Sequence, residues 1–159
     1  GVRDRIEHFA RLSGVDYYDG AKGTNPDATS KAVEAVERPI RLVAGGANKG
    51  FDFTEVAQAC AGRVIAAYLF GEIAPALAEA LGKLPAPIPC RFAPELEEAT
   101  SLAHGDARPG EVVLFSPACD SPKGQKYTGR GDRFKARVLA LGENELTDRL
   151  VPLNDPLAH

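Results

Sequence analysis

The stretch Ile40–Gly50, IRLVAGGANKG, decides the fold, because an apolar run (Ile40–Ala44) ends there in a glycine-rich loop that carries Lys49. Two further apolar runs, Val15–Tyr18 and Val112–Phe115, end in loops of the same kind. Short apolar runs are typical of buried parallel strands, and ligands of open α/β sheets gather beyond the carboxyl ends of such strands. We therefore expect the three loops to form one site, whose N–H groups, hydroxyls and lysines suit phosphates and carboxylates.

The composition is that of an ordinary globular domain, with 159 residues, 44% hydrophobic and 26% charged. A net charge of −3 argues against a nucleic-acid partner, and no apolar run approaches the ~20 residues of a membrane span. The three cysteines are scattered, so we expect no metal site, no disulfide framework and a reducing cytoplasm. The chain begins at Gly1 and contains no methionine, from which we expect a processed product or a piece of a longer protein.

Strands and helices alternate along the chain, which predicts an α/β fold. We expect a three-layer Rossmann-like domain over residues 1–142, with a mostly parallel sheet flanked by helices and an N-terminal hairpin, followed by a partly ordered tail at 143–159. The predicted strands are Arg5–Leu12, Val15–Tyr18, Ile40–Ala44, Arg63–Phe70, Ile88–Phe92 and Val112–Phe115. The first predicted helix begins at Pro26. The other predicted helices cover Thr54–Ala61, Glu72–Leu81, Pro94–His104 and Gly131–Leu141.

Local signals support several of these boundaries. Ser13 and Gly14 predict the hairpin turn, Asn25 followed by Pro26 predicts a helix start, and Gly82 predicts a helix end. The first helix is expected to bury one face, made of Ala28, Ala32, Val33, Ala35 and Val36.

Each loop allows a functional and a purely structural interpretation. Lys22 and Thr24 suit an anion at a helix N-terminus, whereas a plain turn with a solvated lysine fits the same residues equally well. The Gly45–Gly50 loop, taken alone, favours a surface turn, and no Walker A ending occurs in the chain. In the third loop, Ser116–Phe134, we expect Cys119 to be a packed apolar thiol rather than a nucleophile.

Five markers in register resemble the C-terminal domain of the Mur ligases, and the resemblance covers Val2 to about Leu141. These markers are RIE at Arg5–Glu7, GVDYYDGAKGTNPDAT at Gly14–Thr29, GGANKGFDF at Gly45–Phe53, SPACDS at Ser116–Ser121 and RGDRF at Arg130–Phe134. The SPAC and RGxxF markers resemble the family member that adds D-glutamate.

The resemblance implies an ADP-forming ligase of bacterial peptidoglycan synthesis in the cytoplasm. ATP would phosphorylate UDP-N-acetylmuramoyl-L-alanine, and the amine of D-glutamate would attack the resulting acyl phosphate. The family's N-terminal domain binds the UDP-sugar, and its central domain binds most of ATP and Mg²⁺. This domain alone is expected to be inactive, to bind D-glutamate and to close over the nucleotide.

The resemblance also assigns roles to individual residues, none of them a nucleophile or a metal ligand. Thr24 and Lys49 would hold the α-carboxylate of D-glutamate, and Ser121 with the backbone at Tyr127 would hold its side-chain carboxylate. The residues expected near the nucleotide are Arg5, Asp19, Lys22 and Asn25.

Two departures from the family pattern keep alternatives open. Gly20-Ala21-Lys22 stands where the family has Asp-Ser-Lys, which leaves Asp19 as the nearby carboxylate, and the third loop is one residue shorter. One alternative is a related ligase for another amino acid, such as L-glutamate. The other is a non-catalytic module that binds a nucleotide or an amino acid.

Overall fold

The structure is a computed structural model that describes residues 6–36, 39–120 and 127–154, with side chains of the last range described for 129–146. Strands and helices alternate through these ranges after an initial hairpin. In chain order they are β1 (Glu7–Leu12), β2 (Val15–Asp19), α1 (Pro26–Ala35), β3 (Ile40–Gly46), α2 (Thr54–Cys60), β4 (Val64–Gly71), α3 (Ala74–Gly82), β5 (Cys90–Ala93), α4 (Leu96–Asp106), β6 (Val112–Phe115) and α5 (Tyr127–Asn154).

The described strands form one sheet in the order β1-β2-β6-β3-β4-β5. The β1–β2 pair is antiparallel, and every other pair is parallel. The expected hairpin is confirmed: Ser13 and Gly14 both have positive φ, +50° and +79°, as tight hairpin turns require. Strand β6 lies between β2 and β3 and is buried along its whole length, which explains its uninterrupted apolar sequence.

Helices cover both faces of the sheet, which confirms the three-layer prediction. Helices α1, α2 and α3 pack on one face through apolar side chains that include Val33, Val56 and Leu77. Helices α4 and α5 pack on the other face through side chains that include Ala99 and Phe134. Within the described ranges, no helix is both long enough and apolar enough to cross a bilayer.

Helix α1 starts as predicted, because the side chain of Asn25 accepts a hydrogen bond of 2.8 Å from the backbone N–H of Ala28, and Pro26 follows it. Its buried face differs from the prediction. Ala35 is exposed, whereas Thr29 is buried and forms a 2.7 Å hydrogen bond with the Ser116 hydroxyl. The polar side chain is tolerated in the core because that hydroxyl satisfies it.

Several predicted boundaries were wrong, and α3, β5 and α4 each begin two residues later than predicted. Strand β3 continues through Gly45 and Gly46, which we had assigned to the loop. Gly82 ends α3 without a positive φ, and Lys83 caps the helix instead. Helix α5 begins at Tyr127 and runs to Asn154, so it takes in the end of the expected third loop and crosses position 142. The division into domain and tail therefore remains a prediction.

Candidate functional site

The three glycine-rich loops leave the sheet at one edge, as the sequence predicts. They follow β2, β6 and β3, which are neighbours, and backbone hydrogen bonds join their starts. The N–H of Gly20 donates to Phe115 O at 2.7 Å, and the N–H of Gly45 donates to Pro117 O at 3.2 Å. Because parallel strands present their carboxyl ends together, the sheet alone brings these loops into contact.

In the first loop, position 20 requires glycine because the backbone of Phe115 lies too close for a side chain, and not because of its φ. A Cβ at this position would lie 2.8 Å from the carbonyl oxygen of Phe115, too near for any real side chain. Lys22 is exposed and Thr24 is half-buried, just before the N-cap of α1. Both side chains therefore lie where an anion could meet a helix N-terminus.

Asp19 and Asn25 use their side-chain oxygens within the protein. Asp19 Oδ1 accepts from the N–H of Ala21 at 2.9 Å, and its Oδ2 lies 4.0 Å from Lys135 Nζ. Burial raises the pKa of Asp19, partly opposed by the hydrogen bond from Ala21 and the charge of Lys135. The Asn25 oxygen is occupied by its capping bond to Ala28. With these two side chains held within the protein, Lys22 is the exposed cation of the loop.

The second loop presents Lys49 to the third loop. The Lys49 ammonium lies 3.2 Å from Asp120 Oδ2, and both side chains are about half exposed, 56% and 43%. The Asn48 side chain accepts from the N–H of Gly50 at 2.9 Å, which folds this loop back on itself. The structure thus brings Lys49 to a carboxylate on the neighbouring loop, which indicates that its ammonium can be reached by a carboxylate ligand.

The third loop begins with a strained turn. Ala118 is buried and has a φ of +66°, a conformation that residues other than glycine rarely adopt. Cys119 is completely buried, and burial raises the pKa of its thiol to about 11, a shift that the Arg130 charge only reduces. Its thiol therefore stays protonated, which agrees with the packed-thiol prediction and not with a nucleophile.

The remaining predicted residues are placed only in part. Arg5 and Ser121 lie outside the described residues, and Tyr127 is the first residue of α5. In the described part of the chain, no three His, Cys, Asp or Glu side chains are grouped as metal ligands. Lys49 is joined to the third loop, whereas Asp19 is turned towards α5.

Sequence reasoning missed two residues of this edge, Asp120 and Arg130. Asp120 gave no signal, because a single aspartate in a polar loop is usually solvated. Arg130 was predicted to lie in the third loop and was given no role of its own, but the structure places it in the first turn of α5 with 2% of its surface exposed. A helix predicted to begin at Gly131 could not reveal this burial.

Comparison with known proteins agrees with the fold and with the loop markers. The family described as "Mur ligase, glutamate ligase domain" matches residues 4–119. The UDP-N-acetylmuramoylalanine--D-glutamate ligase of Pelotomaculum thermopropionicum is 42% identical over 142 residues, covering 89% of this chain and 31% of the relative. The enzyme of the same name from Acidobacterium capsulatum is 40% identical over 140 residues, covering 87% of this chain and 30% of the relative.

Solved structures share the fold at low sequence identity. A murein peptide ligase from Psychrobacter arcticus superposes with a TM-score of 0.59 at 11% identity, covering 84% of this chain and 29% of its own. A domain of a ligase from Haemophilus ducreyi gives 0.53 at 17% identity, covering 82% of this chain and 98% of its own. This chain spans about a third of the length of its curated relatives. By its sequence match over residues 4–119, it belongs to the Mur ligase family and carries the glutamate ligase domain.

Proposed function

We propose that this chain is the carboxyl-terminal, amino-acid-binding part of an ATP-dependent ligase that adds D-glutamate to UDP-N-acetylmuramoyl-L-alanine. The observation that carries the proposal is the 42% identity, over 89% of this chain, to a relative named for that reaction. The convergence of three anion-suited loops at one sheet edge supports it independently. A ligase that consumes ATP in peptidoglycan synthesis would work in the bacterial cytoplasm.

The proposed role of this domain is to hold D-glutamate at both ends. Thr24 and Lys49 would bind its α-carboxylate, and Ser121 with the backbone at Tyr127 would bind its side-chain carboxylate. The 3.2 Å contact between Lys49 and Asp120 supports this role, because the ammonium is already paired with a carboxylate. A dianion held at two separated points presents its amine in a fixed direction, which favours attack on an acyl phosphate without any acid or base from this domain.

Arg5, Asp19, Lys22 and Asn25 are the proposed nucleotide contacts. Of the three that the structure describes, Lys22 is the exposed cation, whereas Asp19 and Asn25 are engaged in internal hydrogen bonds. These residues suit contacts to one side of a bound nucleotide better than a complete binding site for phosphates and Mg²⁺. We therefore assign the main ATP and Mg²⁺ site to the rest of the longer protein. Closure of this domain over that site would exclude water from the acyl phosphate.

The test is to assay ADP formation by the longer protein that contains this chain, with D-glutamate and ATP varied separately. Lys49→Ala should raise the KM for D-glutamate by about tenfold or more, since a charge-assisted bond is lost, and change the KM for ATP little. Lys31→Ala is the matched control, because Lys31 is also exposed (58%) and ion-paired, to Asp27 on α1. Equal losses for both substrates, or no loss, would contradict the assignment of Lys49.

A ligase for another amino acid is the second candidate, favoured by Gly20-Ala21 in the first loop and by the negative charge of Asp120 beside Lys49. An amide chemical-shift titration of the chain with D-glutamate, L-glutamate and magnesium-ADP separates the candidates. Shifts at Thr24 and Lys49 that select D-glutamate support the first candidate, and shifts that select L-glutamate support the second. A longer protein that binds these ligands without forming ADP would indicate a non-catalytic module.

A further inference from the structure

Arg130 is the largest fully buried side chain described, although arginine is normally a surface residue. It lies in the first turn of α5, beneath the carboxyl edge of the sheet. Its Nη2 donates to Cys119 O at 2.9 Å, and its Nη1 donates to Gly45 O at 3.4 Å. Both acceptors are backbone carbonyls, so neither neutralises the positive charge.

The guanidinium charge is only partly satisfied. Among the described residues, no carboxylate lies within ion-pair distance of Arg130, and its Nε has no hydrogen-bond partner. A buried cation without a paired anion is costly to fold, and a buried unpaired N–H adds to that cost. Core packing alone does not explain such a residue, because leucine or methionine would fill the same space without a buried charge.

The contacts of Arg130 lie where the three loops meet. Gly45 precedes the loop that carries Lys49, and Cys119 directly precedes Asp120. The fit is tight, because a Cβ on Gly46 would lie 3.0 Å from Arg130 Nη1 and 2.7 Å from Cys119 Sγ. The guanidinium therefore bridges the end of β3, where the Lys49 loop begins, and the start of the third loop, beside the backbone bond from Gly45 to Pro117.

The next residue extends this contact to the first loop. A Cβ on Gly131 would lie 2.6 Å from Asp19 Oδ2 and 3.1 Å from Ala21 Cβ, so α5 packs here directly against the loop after β2. The first turn of α5 thus contacts residues of all three loops. A shift of this turn would move all of them together.

We propose that Arg130 is a positioning residue for carboxylate binding, which joins the Lys49 loop to the Asp120 loop and adds its own buried positive charge to the field that attracts the amino acid. The inference rests on the proposed function. It assigns Arg130 no contact with the substrate. Only arginine supplies both parts of this role: lysine keeps the charge but lacks the planar fork that reaches two carbonyls at once, and methionine keeps the approximate volume but neither property.

The experiment compares Arg130→Lys and Arg130→Met in the longer protein, with steady-state ADP formation as the readout. We expect Arg130→Met to raise the KM for D-glutamate by about tenfold or more, and Arg130→Lys to raise it by about threefold to tenfold, while the KM for ATP changes less than about twofold. The difference between the two variants should persist at high ionic strength, because salt screens a buried charge little.

Arg133→Met is the matched control, one turn further along α5. Arg133 forms a two-point ion pair with Glu97, at 2.7 and 2.8 Å, on the outer side of α4 and α5. Its loss should lower the melting temperature without changing the ratio of the two KM values. This separates a general weakening of α5 from an effect on the loops.

The outcomes distinguish the inference from the function on which it rests. A wild-type longer protein that forms no ADP in response to D-glutamate would overturn both. An active wild type whose Arg130→Lys variant keeps the KM for D-glutamate within about twofold would overturn the positioning role alone. If Arg130→Met does not fold, Arg130→Lys decides the question, and parallel increases in the KM for ATP and for D-glutamate would count against the proposal.

Discussion

At the scale of single residues, the Lys49–Asp120 ion pair affects the affinity of the proposed site for an anion. Both side chains are about half exposed, so the pair is screened by solvent and each partner can exchange it for another. Asp120 occupies the ammonium that a substrate carboxylate would need. In the proposed site, Asp120 would therefore compete with the substrate carboxylate for Lys49.

Asp120→Asn should therefore lower the KM for D-glutamate, by about twofold to fivefold at low salt, because an exposed ion pair of this kind is worth less than ~1 kcal/mol. The effect should diminish as salt screens the pair. Asp27→Asn is the control, since it removes an exposed partner from Lys31 on α1 without touching the loops. A higher KM in Asp120→Asn would indicate that Asp120 orients Lys49 rather than competing for it.

The resemblance to the family predicted Lys49 as a site residue, whereas its glycine-rich loop taken alone favoured a surface turn. The sequence could not predict Arg130, since nothing local distinguishes a buried arginine from a solvated one in a loop. Arg130 is buried by tertiary contacts, because its guanidinium bonds the carbonyls of Gly45 and Cys119, which are distant from each other in sequence. The burial of Arg130 can be predicted only once the ends of β3 and β6 are known to be adjacent.

At the scale of elements, α5 shows tertiary contact overriding local propensity. Gly129 lowers helix propensity, and the sequence places the helix start at Gly131, yet the helix begins at Tyr127. Gly131 is needed because α5 lies directly on Asp19 and Ala21. Strand β3 is extended for a similar reason: Gly45 pairs with Phe70 and bonds Pro117, so the sheet continues where the apolar run stops.

Two glycine substitutions in α5 should have opposite signs. Gly129→Ala meets nothing within 4 Å, so it should stabilise the protein by up to about 1 kcal/mol through helix propensity. Gly131→Ala would place a Cβ 2.6 Å from Asp19 Oδ2 and should destabilise by about 1–2 kcal/mol. Urea unfolding of the chain, followed by circular dichroism, measures both. Equal stabilisation by the two variants would show that α5 does not contact the first loop.

At the scale of the whole molecule, two hydrophobic layers of different composition flank the sheet. Besides its apolar side chains, the layer under α1, α2 and α3 contains the buried hydroxyl pair of Thr29 and Ser116, whereas the side of α4 and α5 adds charged contacts. Arg41 bonds both Glu111 and the Tyr68 hydroxyl, and that hydroxyl donates to Asp106. These bonds join the start of β6 and the end of α4 to the centre of the sheet.

These ion pairs predict how stability depends on pH. Burial opposes ionisation of Glu111, but hydrogen bonds from Arg41 and the N–H of Arg108 lower its pKa below the ordinary value. The hydrogen bonds of Arg133 likewise lower the pKa of Glu97. A carboxyl whose pKa is lower in the folded state releases protons on folding, so its contribution is complete above the unfolded pKa of about 4.3 and is lost as the pH falls below it.

The free energy of unfolding should therefore be steady near neutral pH and fall steeply between about pH 4.5 and 3, where unfolded carboxyls bind protons that folded ones resist. Glu111→Gln should reduce that slope and cost about 1–3 kcal/mol at pH 7, because Arg41 loses a charged partner while it is only 14% exposed. Glu79→Gln, which removes an exposed partner of Lys83, should change stability little at any pH. Urea midpoints at pH 7, 5, 4 and 3 provide the comparison, because the three acid values are about one unit apart and span the titration of a carboxyl. An unchanged slope in Glu111→Gln would place the acid sensitivity in other carboxyls, with Glu97 the next to substitute.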